Sequence, residues 1–392
     1  MLKNFWYAVE FSKDITRTPK KVVCLGQKLV VWRTRHGKVN VLSDLCVHRG
    51  ALLSDGWLTP DSEQIVCPYH GWEYQGDGAC TKIPAHPERG IPRKARVDSY
   101  PVVEKYDLVW VFLGDLPEAE RPPIPEWPEF EDPSFHRVYG EFPKWPANYE
   151  RVLENGTDVA HAPFVHGGVF GNPERPEVPD NEIELTEWSA STEISLPARK
   201  PTGLWSLVSK GSRKLSERPP VTVRTTWWMP NLIKLDVRLP LGRLVIYDTN
   251  IPVSDTVTDV KWIAMRNFFP WKIFDGDTRR RVNGIFKEDA EIVNSQRPEL
   301  LPFDLSSELH VRSDGMAVAY RRRRQELIER GWGIEADKII GDGPRTEAVV
   351  IPSPARREVP ELARAWVMKA VPSSMRDAVD EAITASTLEE NQ

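Results

Sequence analysis

An α+β protein of two domains is what this sequence predicts: a β-rich N-terminal unit, then an antiparallel sheet packed by helices. Three observations carry that expectation. The chain has 392 residues, and domains usually run to about 100–200. Its first part consists of short alternating runs, with a turn signal about every ten residues. Its second part mixes such runs with two long stretches of helical periodicity.

Taken in order, KKVVCLGQKLVVWRTRHGKVNVLSD reads as three strands, with turns at Gly26 and at His36-Gly37. The pattern continues to DLVWVFLGD and closes a first domain at residues 1–118. Pro117, Pro122, Pro123, Pro125, Pro128 and Pro133 then mark a proline-rich connector, residues 119–146. A second domain spans 147–330. It opens with NYERVLENGTDVAHAPFVH, helical in period up to Pro163. SASTEISL, VTVRTTWWMP, NLIKLDVRLP, RLVIYDTNIP and DVKWIAMRNFF follow as strands. DTRRRVNGIFKEDAEIVNSQ is an amphipathic helix with Val282, Ile285, Phe286, Asp289 and Val293 on one face, and VAYRRRRQELIER is a second helix. Residues 331–392 read as a tail of short helices with a polar end.

Composition excludes several classes. Lys plus Arg number 52 and Asp plus Glu 57, a net charge of -5, which argues against a nucleic-acid partner. Mean hydropathy is -0.43, and no run approaches the roughly 18 apolar residues that span a bilayer. The start, MLKNFWYAVE, lacks a signal-peptide pattern, so the expected location is cytoplasmic. Four cysteines are too few for a disulfide framework in a chain this long, which leaves metal ligands or core thiols.

Half of the cysteines and half of the eight histidines fall in two motifs. The first is Cys46-Val47-His48 and Cys67-Pro68-Tyr69-His70, within CVHRG and CPYHGWEY. Each half offers one thiolate and one imidazole, with Gly50 or Gly71 just beyond. Two Cys on one iron and two His on the other make a Rieske [2Fe-2S] centre, whose neutral imidazoles raise its potential above that of an all-Cys cluster. A structural zinc site is the alternative, although its knuckles more often pair Cys with Cys. Cys24 and Cys80 remain as core or near-surface thiols. His36, His86, His136 and His310 have no partner at ligand spacing.

The second motif, LENGTDVAHAPFVHGG, holds Asn155, Asp158, His161 and His166. Steps of three place Asn155, Asp158 and His161 on one helical face, and Pro163 should break the helix so that His166 turns back toward His161. Two imidazoles need a carboxylate to complete the facial triad of non-haem Fe(II) oxygenases. Asp289 is the candidate, a polar residue on an apolar helix face. Glu288 points about 100° away on the helical wheel and reads as solvent-facing. Without the first motif, paired His on an apolar helix are equally well core residues.

Together the two motifs resemble the α subunits of Rieske non-haem iron oxygenases, over residues 1–330. NFWYAVEFSKDI, CPYHGWEYQGDGACTKIPAHP, RVLENGTDVAHAPFVH and ELHVRSDGMAVAYRRRRQEL resemble the α-only monooxygenase branch. The nearest resemblance is to hydroxylases of saxitoxin-type alkaloid biosynthesis. Dicamba and vanillate O-demethylases and pheophorbide a oxygenase stand further off. The resemblance implies a β-rich Rieske domain and a helix-grip (START-like) catalytic domain. It implies that Cys46, His48, Cys67 and His70 hold the cluster and that His161, His166 and Asp289 hold a mononuclear Fe(II). Asp158 would bridge to the Rieske histidine of a neighbouring subunit, with Asn155 near the iron. It further implies a head-to-tail homotrimer, O2 as co-substrate, and a ferredoxin or flavin reductase as electron donor.

The expected reaction is hydroxylation or oxidative dealkylation of a small organic substrate. Cis-dihydroxylation of an aromatic ring is the alternative chemistry, and a Rieske electron carrier with a ligand-binding domain is the alternative class. Arg321–Arg324 read as a solvated helix face or as a docking patch for an acidic ferredoxin. Arg279–Arg281, at a helix start, should pair with carboxylates. Trp227, Trp228, Met229 and Phe268, with the loop after His166, are candidates for the pocket wall or for the core.

Overall fold

The computed structural model describes residues 1–166, 173–196, 221–239, 241–340, 347–364 and 369–374. The chain divides into two compact units. The first comprises residues 1–124, 251–255 and 325–392, and the second comprises 125–250 and 256–324.

The first unit is built from short strands, as its alternation requires. They are β1 (Phe5–Phe11), β2 (Lys20–Cys24), β3 (Gln27–Arg33), β4 (Val39–Ser43), β5 (Trp57–Leu58), β6 (Ile65–Val66), β7 (Glu73–Tyr74), β8 (Cys80–Lys82), β9 (Val102–Lys105) and β10 (Leu108–Leu113). They form three small sheets, ordered β1-β10-β9, β2-β3-β4 and β5-β6-β7-β8. Gly26 and Gly37 turn the β2-β3-β4 meander at φ of 75° and 88°, a region open to glycine at no steric cost. Val30, Trp32, Leu42, Leu53, Ile65, Tyr74 and Val97 fill its core together with Cys46, Cys67 and Cys80. Cys24 is also a buried free thiol.

The second unit carries a seven-stranded sheet ordered β11-β17-β16-β15-β14-β13-β12. Its strands are β11 (His136–Trp145), β12 (Ile183–Leu185), β13 (Ser189–Leu196), β14 (Val221–Trp228), β15 (Leu232–Leu239), β16 (Gly242–Ser254) and β17 (Val257–Arg266). Five strands match runs expected from β-branched and aromatic alternation. β11 was not expected. It covers ten residues, His136–Trp145, near the end of the segment 119–146 read as connector. Proline spacing hid it: Pro143 sits in an edge strand, where a missing N–H is tolerated, beside a bulge between Phe142 and Trp145.

One sheet face presents Val138, Leu235, Leu244, Ile246, Trp262 and Ala264 to Val282 and Phe286 of the long helix Asp275–Val293. Trp145, Val152 and Val260 extend that contact to Ala290 and Val293. This packing fixes the helix on which Asp289 stands.

The basic run departs from both readings given for it. Arg321 is only 5% exposed, with its guanidinium forked on Glu154 at 2.5 and 2.8 Å and reaching Glu308 at 2.6 Å. Arg324 meets Glu150 at 2.6 Å, and Arg151 meets Glu308 at 2.7 Å. Helical period alone put the four arginines around a full turn, so two of them had to face the protein. Arg280 and Arg281 pair with Asp277, while Arg279 Nε donates to the Tyr139 carbonyl at 3.0 Å.

The tail holds less helix than expected. Its described part has short helices at Asp337–Ile340 and Ala355–Glu358 and a parallel pair, β18 (Val349–Val350) and β19 (Lys369–Ala370). It packs into the first unit, with Val350 and Leu362 in the core that contains Cys46 and Cys67. The polar end, residues 375–392, lies outside the described residues.

Candidate metal centres

Two loops with the same backbone pattern carry the first motif. Cys46 donates its N–H to the Ala51 carbonyl at 2.9 Å, and Cys67 donates to Trp72 at 2.8 Å, each five residues on. The Gly50 N–H returns to the Cys46 carbonyl at 2.8 Å, and the Gly71 N–H to the Cys67 carbonyl at 3.0 Å. Both glycines have φ of 71°, so the closure needs glycine twice. The imidazole sits at the second residue after the cysteine in one loop and at the third in the other.

The four side chains segregate by polarity. Cys46 and Cys67 are 2% and 1% exposed, whereas His70 is exposed and His48 half-buried. The His48 and His70 rings lie 4.5 Å apart, and Trp72 stacks on His48 at 4.7 Å. A hydrogen bond from the Cys46 thiol lowers Cys67, while that same bond and then burial raise Cys46. Burial, then His70 and Arg49, lower His48, which favours the neutral imidazole a metal requires. His48 Nδ1 is buried and has no hydrogen-bond partner among the described residues. Two adjacent buried thiols, the unpartnered ring nitrogen of His48 and the neighbouring His70 could together supply the donor set of a Cys2His2 iron–sulfur centre. The Tyr74 hydroxyl lies 3.1 Å from Cys46 Sγ, a contact of the kind that tunes a cluster's potential.

The second motif folds differently from the expected continuous helix. Tyr149–Thr157 is helical, with the Asn148 side chain accepting the Glu150 N–H at 2.9 Å as its N-cap. It ends at Thr157, because Asp158 turns extended at ψ of 131° and its carboxylate takes the Ala160 N–H at 2.8 Å. Asn155, Asp158 and His161 therefore do not share a helical face. Pro163 starts a new turn, Ala162–Val165, instead of breaking the old one. His161 and His166 cap that turn at its two ends. Asn155 is half-buried in the last turn of the first helix, where its carbonyl accepts the Asp158 N–H at 3.2 Å.

His161, His166 and Asp289 converge. The two Nε2 atoms are 3.2 Å apart, and Asp289 Oδ1 stands 3.4 Å from one and 3.1 Å from the other. Donors about 2.1 Å from one metal at right angles lie about 3 Å apart, so the spacing fits three ligands on one octahedral face. His166 is 2% and Asp289 5% exposed. Asp289 keeps a low pKa despite burial, because both imidazoles bond to it. His161 is depressed by burial, but Asp158 and Asp289 outweigh this and push it up to about 9. Asp158 Oδ2 lies 3.5 Å from His161 Nδ1.

Glu288 was misread. Its carboxylate is 38% exposed, yet Oε2 lies 2.7 Å from His166 Nδ1. The helical wheel gave its direction correctly but ignored the reach of a glutamate. Asp248 was not considered. Burial pushes it up to about 8, helped by the Asp289 charge, and Asn250 Nδ2 bonds to it at 3.0 Å. Strand alternation places it in register with Leu244 and Ile246, the apolar face, which was the available signal. Among the pocket candidates, Trp227 and Met229 are core residues, 1% and 5% exposed. The loop 167–172 lies outside the described residues.

Residues 5–105 match the Rieske [2Fe-2S] domain, and residues 145–330 match the vanillate O-demethylase oxygenase C-terminal domain. Methylxanthine N1-demethylase NdmA of Pseudomonas putida is 28% identical over 347 residues, covering 84% of this chain and 90% of the relative. Methylxanthine N3-demethylase NdmB of the same organism is 28% identical over 341 residues, covering 83% and 89%. The structure of Pseudomonas putida NdmA with caffeine superposes with a TM-score of 0.68 at 26% identity, covering 84% of this chain and 91% of that one.

Proposed function

This chain belongs to the Rieske non-haem iron oxygenase α subunits, and from that premise we propose that it removes a methyl group from nitrogen or oxygen of a small aromatic or heteroaromatic molecule. It is an oxidoreductase that uses O2, a Rieske cluster and a mononuclear iron to hydroxylate or dealkylate small substrates, with electrons from a reductase or ferredoxin. The convergence of His161, His166 and Asp289, in the same chain as the two Cys/His loops, carries this reading. The relatives named above are N-demethylases, which favours dealkylation over simple hydroxylation.

When bound, the cluster supplies single electrons and the mononuclear iron activates O2 for insertion into a C–H bond. The chain's own residues set the conditions. The buried thiols of Cys46 and Cys67 and the more exposed imidazoles of His48 and His70 would hold the cluster. His161, His166 and Asp289 would hold the mononuclear iron, offering it two imidazoles and one carboxylate. Leu235, Leu244 and Ile246 of the sheet pack with Phe286 of the Asp289 helix and make that contact apolar. The reaction consumes the N- or O-methyl compound, O2, two electrons and two protons. It yields the demethylated compound, formaldehyde and water. Chemically reduced protein given caffeine or vanillate in one turnover should release formaldehyde. A ring diol without formaldehyde would establish dihydroxylation instead.

The finer features belong to the same proposal. The subunit works as a head-to-tail homotrimer in which Asp158 faces a neighbour's cluster, supported by an exposed His70 and a partly exposed Asp158. Its setting is cytoplasmic, where its thiols stay reduced. Among the described residues no helix is long and apolar enough to cross a membrane.

A further inference from the structure

We infer that Glu288 is the positioning carboxylate of the iron site, and that it, more than Asp158, fixes the ligand geometry. The inference rests on the metal site proposed above. Consecutive residues of one helix face the two nitrogens of a single imidazole: Glu288 Oε2 lies 2.7 Å from Nδ1 of His166, and Asp289 Oδ1 lies 3.1 Å from its Nε2. The short aspartate reaches the ligand cluster, and the longer glutamate passes round the outer edge of the ring. With Nδ1–H donated to Glu288, the lone pair of Nε2 points at the other two donors, the tautomer a metal needs. His166 is 2% exposed, so bulk water cannot set its tautomer.

The other imidazole is held less firmly. Asp158 stands 3.5 Å from His161 Nδ1, beyond a good hydrogen bond, and its Oδ1 is committed to the Ala160 N–H at 2.8 Å. The two backing carboxylates therefore differ in duty. Glu288 is rigid with the Asp275–Val293 helix, and through it with Asp289, so a ligand and the clamp on a second ligand move as one body. Asp158 sits in a non-helical break, on a different element from Asp289, with its carboxylate shared with the Ala160 N–H.

The test uses full-length protein with its cluster intact and its mononuclear iron removed, titrated with Co(II) and followed by the cobalt d–d bands. Glu288→Ala should weaken Co(II) binding about 10- to 100-fold and alter the bands, as loss of an outer carboxylate does at other histidine sites. Glu288→Gln keeps an oxygen acceptor and should stay within a few-fold of wild type, as should Asp158→Asn. Far-ultraviolet circular dichroism and the denaturant unfolding midpoint report that each variant is folded, and the cluster's EPR signal that the cluster is retained. Wild-type affinity in Glu288→Ala, a loss in Glu288→Gln as deep as in Glu288→Ala, or a deeper loss in Asp158→Asn would overturn the inference. Asp289→Ala is the control for the site itself. If it binds Co(II) like wild type, the metal site fails, and if it alone abolishes binding, only the role of Glu288 fails.

Discussion

His161 is largely buried, in the neighbourhood that the proposed metal triad requires. It lies 3.2 Å from a second imidazole and 3.4 Å from a buried carboxylate. Replacing it by alanine should leave the visible spectrum of the cluster intact while mononuclear iron and turnover disappear together. Turnover surviving in His161→Ala would refute the triad. Asp248 gives a pH test of the same interior. An acid whose folded pKa rises to about 8 is more protonated folded than unfolded. Its contribution is fully present below about pH 4, the unfolded value, and is lost as pH rises toward 8, at up to about 1.4 kcal/mol per pH unit. Asp248→Asn should therefore gain melting temperature over wild type at pH 8 relative to pH 5. An equal difference at both pH values would contradict this assignment. The cysteine and histidine spacings made the ligand candidates legible, and Asp289 was legible as a lone carboxylate on an apolar face. Glu288 and Asp248 were not, because side-chain reach and cross-strand register are properties of the folded chain.

At the scale of elements, the periodicities of the sheet strands and the long helix were readable, and the local breaks were not. The helix before His161 ends one turn earlier than its apolar period suggests, because Asp158 competes for the backbone. β11 was hidden by prolines, and the arginine run by its own uniformity. Arg321 bonds both Glu154 and Glu308 while only 5% exposed, and Glu154 belongs to the helix that leads into the ligand segment. Arg321→Ala leaves two partly buried carboxylates without that partner and should cost about 3 kcal/mol, the lower end for breaking a buried pair. Arg322, exposed on the same helix, should tolerate alanine with a change of about 0.5 kcal/mol or less. Denaturant midpoints of the two variants compare them directly, and equal midpoints would rule out a structural role for the network.

Across the whole chain, the order of the two motifs carried the family, and the course of the tail carried no signal. Asp98 is 0% exposed and accepts from Arg356 Nε at 2.9 Å and Nη2 at 2.7 Å, across 258 positions of sequence. No local pattern announces a pairing at that separation. Ending the chain after residue 346 would leave Asp98 buried without its guanidinium and remove Val350 and Leu362 from the core around the cluster cysteines. The truncated protein should lose its cluster absorbance faster on warming than the full chain, and an unchanged rate would show the tail to be dispensable there. The central claim, that one chain holds both a Rieske cluster and a mononuclear iron, is tested most directly by iron and acid-labile sulfide per chain in anaerobically purified protein, with an EPR spectrum after reduction. The account predicts about three irons and two sulfides with a Rieske-type signal. About two irons and two sulfides after iron reconstitution would leave only an electron carrier, and zinc without sulfide would contradict the Rieske cluster and with it the central claim.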